Sequence, residues 1–203
     1  YCTAGATSTS FEKISNVTFA NINKSSTATT GYEDFTTTIG NVTAGSNYPF
    51  TATFTGTSYV SDQVLVWIDF NNDKDFNDVG EQVLVTPTKT SPWTGSITIP
   101  ATATIGATRM RVRLHDSSLT PNTTPCGTSS FGQVEDYTLN IGTLAVSDVS
   151  KNGIKAYPNP VTDIFTIETQ GKIKSVKVYD VTGKQLLTKE INEAKSQINF
   201  SRY

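Results

Sequence analysis

Gln63–Phe70 restricts the fold of this chain more than any other segment. It carries apolar side chains on both parities, Val64, Val66 and Ile68 on one and Leu65 and Trp67 on the other. A strand that is apolar on both faces must be covered on both, so it is expected to be a central strand. Period-two patterns recur around it. Asn47–Thr55 alternates Tyr48, Phe50, Ala52 and Phe54 on one face. Arg109–Leu114 turns Met110, Val112 and Leu114 inward and puts Arg109, Arg111 and Arg113 on the opposite face, and Val134–Ile141 aligns Tyr137, Leu139 and Ile141. Ile14–Ile22 reads as one strand running into a Ser/Thr-rich loop, Lys24–Thr30, while Gln82–Thr86 and Ser96–Ile99 supply shorter strands. No segment shows a 3.6-residue period. The expected fold is all-β, an antiparallel β-sandwich of jelly-roll or Ig-like kind.

The pattern lapses at Gly142–Gly153 and resumes after Pro158 and Pro160, which forbid a helix there. Strands are expected over Ile164–Glu168, Lys174–Tyr179 and Gln185–Glu190, with Val181-Thr-Gly-Lys184 turning between the last two. The predicted division is a sandwich over 1–142, a linker over 143–153 and a small β-sandwich-like tail over 154–203.

Charged residues are only 17% of the chain and net charge is −2, so no basic footprint points to nucleic acid. No apolar run reaches the ~20 residues of a transmembrane helix. The chain begins at Tyr1 without a signal peptide and is read as a processed or excised piece, a monomer. Cys2 and Cys126 are an even pair, which reads as one disulfide in an oxidising compartment and otherwise as two buried thiols.

The sharpest chemical motif is Asp69-Phe-Asn-Asn-Asp-Lys-Asp-Phe-Asn-Asp-Val-Gly-Glu81. Asp69, Asn71, Asp73 and Asp75 place oxygens at alternate positions, as in the first half of an EF-hand loop, with Glu81 as a distal ligand. Lys74 stands where an EF-hand has Gly, so a structural Ca²⁺ loop between strands is expected, not an EF-hand; the competing reading is a solvated acidic turn. Glu135 shares parity with Tyr137 and must be paired if buried. Asp136 faces the other way, toward Arg111 or Arg113, so Glu135, Asp136, Arg111 and Arg113 are expected to form structural ion pairs that fix register.

Catalysis finds little support. The single histidine, His115, is next to Asp116, and neighbours on a strand point to opposite faces. Glu33, Asp34, Glu135 and Asp136 are the candidates for a catalytic carboxylate pair, and their motif context reads as scaffold. Trp93, in the turn-like Ser91-Pro-Trp-Thr-Gly95, together with Tyr32 and Tyr59, is the candidate aromatic platform for a ligand; burial of Trp93 at the sandwich edge is the alternative.

Two resemblances add to this reading. Tyr157-Pro-Asn-Pro160, Phe165-Thr-Ile167 and Val176-Lys-Val-Tyr-Asp-Val-Thr-Gly183 resemble the type A C-terminal sorting domain of the type IX secretion system. That family usually continues past a further strand to a short basic end, whereas this chain stops at Ser201-Arg-Tyr203, so the tail is read as incomplete. Gly132-Gln-Val-Glu-Asp136, with Tyr1-Cys2, Ile14-Ser-Asn-Val17, Gly31-Tyr32, Val66-Trp-Ile-Asp-Phe-Asn71, Gly80-Glu81 and Thr108-Arg-Met-Arg-Val-Arg113, resembles a GEVED domain, Gln133 departing from the usual Glu. The resemblances imply a non-catalytic accessory module of a larger protein, secreted or held at the outer-membrane surface of a Gram-negative bacterium, with the type IX machinery as partner. The sandwich is expected to bind polysaccharide or an extracellular matrix protein; the alternatives are a calcium-stabilised spacer or an adhesin module.

Overall fold

Thirteen strands and no helix occur among the residues that the computed structural model describes, which are 1–27, 29–119, 122–143, 153–157, 163–180 and 183–201. The chain divides into two compact units, Tyr1–Leu144 and Ala145–Tyr203. The first contains β1 (Ala4–Ser8), β2 (Asn16–Phe19), β3 (Ile22–Ser25), β4 (Tyr32–Thr43), β5 (Asn47–Thr53), β6 (Asp62–Ile68), β7 (Gln82–Val85), β8 (Trp93–Thr98), β9 (Gly106–Asp116) and β10 (Gly127–Gly142). The second contains β11 (Lys155–Tyr157), β12 (Ile164–Tyr179) and β13 (Gln185–Asn199).

β6 is central, as its two apolar faces require. It pairs with β9 on one side and β7 on the other, in a sheet of order β1-β10-β9-β6-β7. Val64, Val66 and Ile68 enter the main core with Met110, Val112, Leu114, Tyr137, Leu139 and Ile141. Leu65 and Trp67 point the other way and are covered by Phe76 and Tyr1. The facing sheet, β3-β2-β5-β8, contributes Val17, Phe19, Phe50, Ala52, Trp93 and Ile97 to the same core. Each side chain hidden this way adds on the order of 2 kcal/mol.

Most pairings are antiparallel, and two are parallel. β1 runs along the first part of β10 (Ala4 opposite Gly127) and β4 along its second part (Val134 opposite Tyr32). The handover lies at Gly31, whose carbonyl accepts from both Ala6 N (3.1 Å) and Val134 N (3.0 Å). A Cβ at Gly31 would overlap the Ala6 backbone, so only glycine lets the strands approach this closely. Sequence alternation did not reveal β1 or β4, because both are partly exposed and Thr/Gly-rich.

The single strand expected over Ile14–Ile22 is instead a hairpin. β2 and β3 pair antiparallel, from Phe19 opposite Ile22 to Asn16 opposite Ser25, so the expected Lys24–Thr30 loop begins two residues late. Ala20, at φ 51°, takes the left-handed conformation that the two-residue turn needs.

The described residues of the second unit form one antiparallel sheet, β11-β12-β13. The two strands expected over Ile164–Glu168 and Lys174–Tyr179 merge into β12, and a register irregularity between Glu168 and Ile173 absorbs the intervening glycine. Thr166 and Ile198 are its buried residues. Residues 144–152 of the linker expected over 143–153, Pro158–Pro160, Val181 and Thr182 of the turn, and the end at 202–203 lie outside the described residues.

Candidate functional site

Of the five residues expected to hold calcium, Asp73 and Asp75 stand in one acidic cluster, and Asp69 and Glu81 accept from backbone amides of the same loop. Asp69 is buried at the end of β6 and serves its own loop: Oδ1 accepts from Asn72 N (2.5 Å) and Oδ2 from Lys74 N (3.1 Å) and the Tyr1 hydroxyl (2.7 Å). Asn72 and Lys74 take left-handed conformations, φ 64° and 79°, so Lys74 adopts the backbone shape for which an EF-hand uses glycine. Glu81 is also buried, and its carboxylate accepts from Phe70 N (2.9 Å) and Asp78 N (3.4 Å). What gathers instead is Asp73, Asp75 and Asp78, with one carboxylate oxygen of each within 4.8 Å of the others. Asn71 presents its amide NH₂ to two of them, donating to Asp73 (3.0 Å) and Asp78 (2.7 Å). The backbone amide of Asp75, donating to Asp73, leads the causes that hold the Asp73 carboxyl below its usual range. These three oxygens could hold a hard cation at the solvent-facing loop, while Asp69 and Glu81 are engaged by backbone amides of the same loop.

The expected ion-pair ladder is half right. Asp136 stands opposite Arg111 across β10 and β9 and binds its guanidinium through two bonds, Nε to Oδ1 and Nη2 to Oδ2, both 2.7 Å. Arg109 reaches the same carboxylate at 3.5 Å. Among the described residues Arg113 pairs with no carboxylate. Nη1 donates to the Gly5 carbonyl (3.1 Å) and Nη2 to the carbonyls of Cys126 (3.2 Å) and Gly127 (2.9 Å), and burial pulls its pKa down to about 10. Arg111 Nη1 likewise donates to the Cys2 carbonyl (3.0 Å). The two guanidiniums thus hold the segments joined by the Cys2–Cys126 disulfide, whose Cα atoms are 5.5 Å apart. Glu135 lies on the core side, as its parity requires, but it accepts from the hydroxyls of Tyr137 (2.7 Å) and Ser26 instead of pairing with an arginine, and burial pushes its pKa up to about 7.

The rest of the Gly132–Asp136 motif is equally occupied. Gly132 sits at φ 116°, and a Cβ there would overlap the Leu114 carbonyl. Gln133 is fully buried; its Oε1 accepts from Ile14 N (2.8 Å) while its Nε2 donates to the Thr30 carbonyl (3.2 Å). A glutamate could make the first bond and not the second, so the departure at Gln133 has a physical use here.

A second acidic group escaped the sequence reading. Glu12, Asp62 and Asp116 are buried, and one carboxylate oxygen of each lies within 4.8 Å of the others. Asp62 and Asp116 face each other across β6 and β9, and Glu12 comes from the segment between β1 and β2. The β6–β9 register was the one signal that could have joined two of them; Glu12 had none. Above them opens a pocket of about 390 Å³ lined by Phe11, Glu12, Tyr59, Ser61, Asp116, Ser118, Leu119 and Phe131. Beside it His115 is buried. Its Nε2 contacts Gln63 Oε1 (3.2 Å), its Nδ1 accepts from Asn122 N (3.3 Å), and burial lowers its pKa to about 4. With Nδ1 accepting, the ring is neutral with its proton on Nε2, and both nitrogens are engaged.

The three aromatic ligand candidates lie in different places. Trp93 is fully buried on β8, its Nε1 donating to the Lys89 carbonyl (2.8 Å), so it is core and no exposed platform. Tyr32 lines a smaller pocket with Tyr1, Arg109 and Arg111, and its hydroxyl donates to Asp136 (3.0 Å). Tyr59 is 40% exposed and frames the pocket over Asp116.

Glu33 and Asp34 are neighbours of Glu135 and Asp136. They stand opposite them in the β4–β10 register, and the Asp34 carboxylate caps Thr36 (2.9 Å).

Residues 63–140 match the GEVED domain family, and residues 155–203 match the secretion system C-terminal sorting domain family. No curated protein matches the chain. Both are non-catalytic domain types, and the sorting domain marks a protein secreted through the type IX system. No helix of the described residues is long and apolar enough to cross a membrane. The two matched stretches follow one another along a chain whose strands, disulfide and buried Gly132–Asp136 motif are now in place: it carries a GEVED domain followed by a type IX secretion C-terminal sorting domain.

Proposed function

We propose that the sandwich is the accessory binding module of a larger secreted protein and takes a polysaccharide at the pocket framed by Phe11, Tyr59, Leu119 and Phe131. One observation carries this reading. Phe11, Tyr59 and Leu119 are 51%, 40% and 53% exposed, yet they border a single opening beside buried carboxylates. Exposed apolar side chains gathered at one opening mark an interaction site more often than scattered ones do. Aromatic rings fit the apolar faces of sugar rings, and nearby carboxylates and hydroxyls accept from sugar hydroxyls. In this reading the sorting domain brings the module, and the protein attached to it, to the cell surface.

The test is retention of the purified 203-residue chain on a panel of polysaccharides and extracellular matrix proteins. Retention on a polysaccharide is expected; retention on matrix protein alone would reassign the ligand class. Binding to neither panel would favour a second reading, a structural spacer ahead of the sorting domain. The full burial of Trp93 favours that spacer, since it removes the aromatic platform first expected. A spacer would be stiffened by Ca²⁺ on Asp73, Asp75 and Asp78, and neutralising those three residues would then abolish calcium stabilisation.

A further inference from the structure

We propose that Glu12, Asp62 and Asp116 form a binding site for one divalent cation, of the calcium class, at the floor of the Phe11–Tyr59 pocket. It is separate from the acidic loop after β6, and it stands whether or not the pocket takes a polysaccharide.

The three residues are 1%, 0% and 8% exposed, so their carboxylates are largely withdrawn from water. Among the described residues none of the three has a salt bridge. Hydrogen bonds satisfy only part of the group. Asp62 Oδ2 accepts from Tyr59 N (2.7 Å), and Asp116 Oδ1 accepts from Ser118 N (2.7 Å) and Ser118 Oγ (2.6 Å). Glu12 Oε1 and Asp62 Oδ1 are buried with no hydrogen-bond partner. Buried polar atoms are rarely left this way, and a buried carboxylate normally has a cation or a donor.

The spacing suits a metal. Calcium binds oxygens at 2.3–2.6 Å, so oxygens sharing one ion lie up to about 5 Å apart. The 4.8 Å limit within which these three gather meets that requirement. The set is all oxygen and carries three negative charges when ionised, which selects a hard divalent cation over zinc or copper. Three protein ligands leave positions for water, which the open pocket supplies, and the flexible coordination of calcium tolerates an irregular oxygen set that magnesium, which demands a near-ideal octahedron, does not.

The experiment is equilibrium dialysis of the metal-stripped 203-residue chain against calcium chloride, with melting curves in calcium and in chelator. The wild type is expected to bind calcium and to melt higher with it. The Glu12→Gln/Asp62→Asn double variant should lose one bound calcium, or bind it at least tenfold more weakly. The Asp73→Asn/Asp75→Asn/Asp78→Asn variant should keep that site. Folding is controlled by melting in chelator, where the double variant should be no less stable than wild type because it removes buried like charges. No bound calcium in the wild type would overturn the proposal and leave a proton-sharing acid cluster. Unchanged calcium binding in the double variant would overturn it equally.

Discussion

The Arg111 guanidinium and the Asp136 carboxylate face each other across paired strands and meet through two bonds of 2.7 Å, both side chains sealed from solvent. Such a pair contributes little net energy while intact, but removing one partner strands a buried charge. Asp136→Ala should therefore cost about 3–5 kcal/mol, read as a lower urea midpoint. Arg111→Met/Asp136→Leu should recover most of that loss. If Asp136→Ala alone costs under about 1 kcal/mol, the pair does not hold the β9–β10 register.

The disulfide links positions 124 residues apart and ties β1 to the start of β10 beside Arg111 and Arg113. Closing so long a loop is worth roughly 4–5 kcal/mol on the chain-entropy account. Cys2→Ser/Cys126→Ser should lower the midpoint of the first unit by that amount. Wild type in reductant should match the variant.

Glu135 sets a pH dependence whose sign follows from its shift. Burial raises its pKa from 4.5 to about 7, so the folded state holds a proton that the unfolded chain has released. Its contribution is complete below pH 4.5 and is lost as pH climbs toward 7. At about 1.4 kcal/mol per pKa unit the loss is up to about 3 kcal/mol. Stability measured from pH 4.5 to 7.5 should fall more steeply for wild type than for Glu135→Gln, which keeps an acceptor for Tyr137. Equal slopes would mean that Glu135 is ionised in the fold.

Some of this was legible in the sequence and some was not, for identifiable reasons. Alternation marked β5, β9 and the end of β10 through Tyr48–Phe50–Ala52, Met110–Leu114 and Tyr137–Ile141, and an apolar run on both parities, Val64–Ile68, marked β6. It fails for β4, whose face is mixed, and for the β2–β3 hairpin, which turns at Ala20-Asn21 without a glycine. The oxygen spacing of Asp69–Glu81 correctly marked a tight acidic loop. It could not show that Asp69 and Glu81 would accept from backbone amides of the same loop. Glu12, Asp62 and Asp116 were invisible as a group, because only tertiary pairing brings together residues from three distant segments.

Gly132 gives a further check on the motif as architecture. Its φ of 116° and the Leu114 carbonyl against its α-carbon leave no room for a side chain. Gly132→Ala should destabilise the first unit by several kcal/mol and reduce soluble yield, whereas Gly183→Ala, where nothing lies within 4 Å, should cost about 1 kcal/mol.

The binding role is tested most directly by a polysaccharide-binding isotherm of the full chain beside its Phe11→Ser/Tyr59→Ser variant, with unchanged melting temperature as the control for folding. At least tenfold weaker binding by the variant is predicted, with Trp93→Phe leaving the isotherm unchanged. Equal isotherms for wild type and the pocket variant would contradict it.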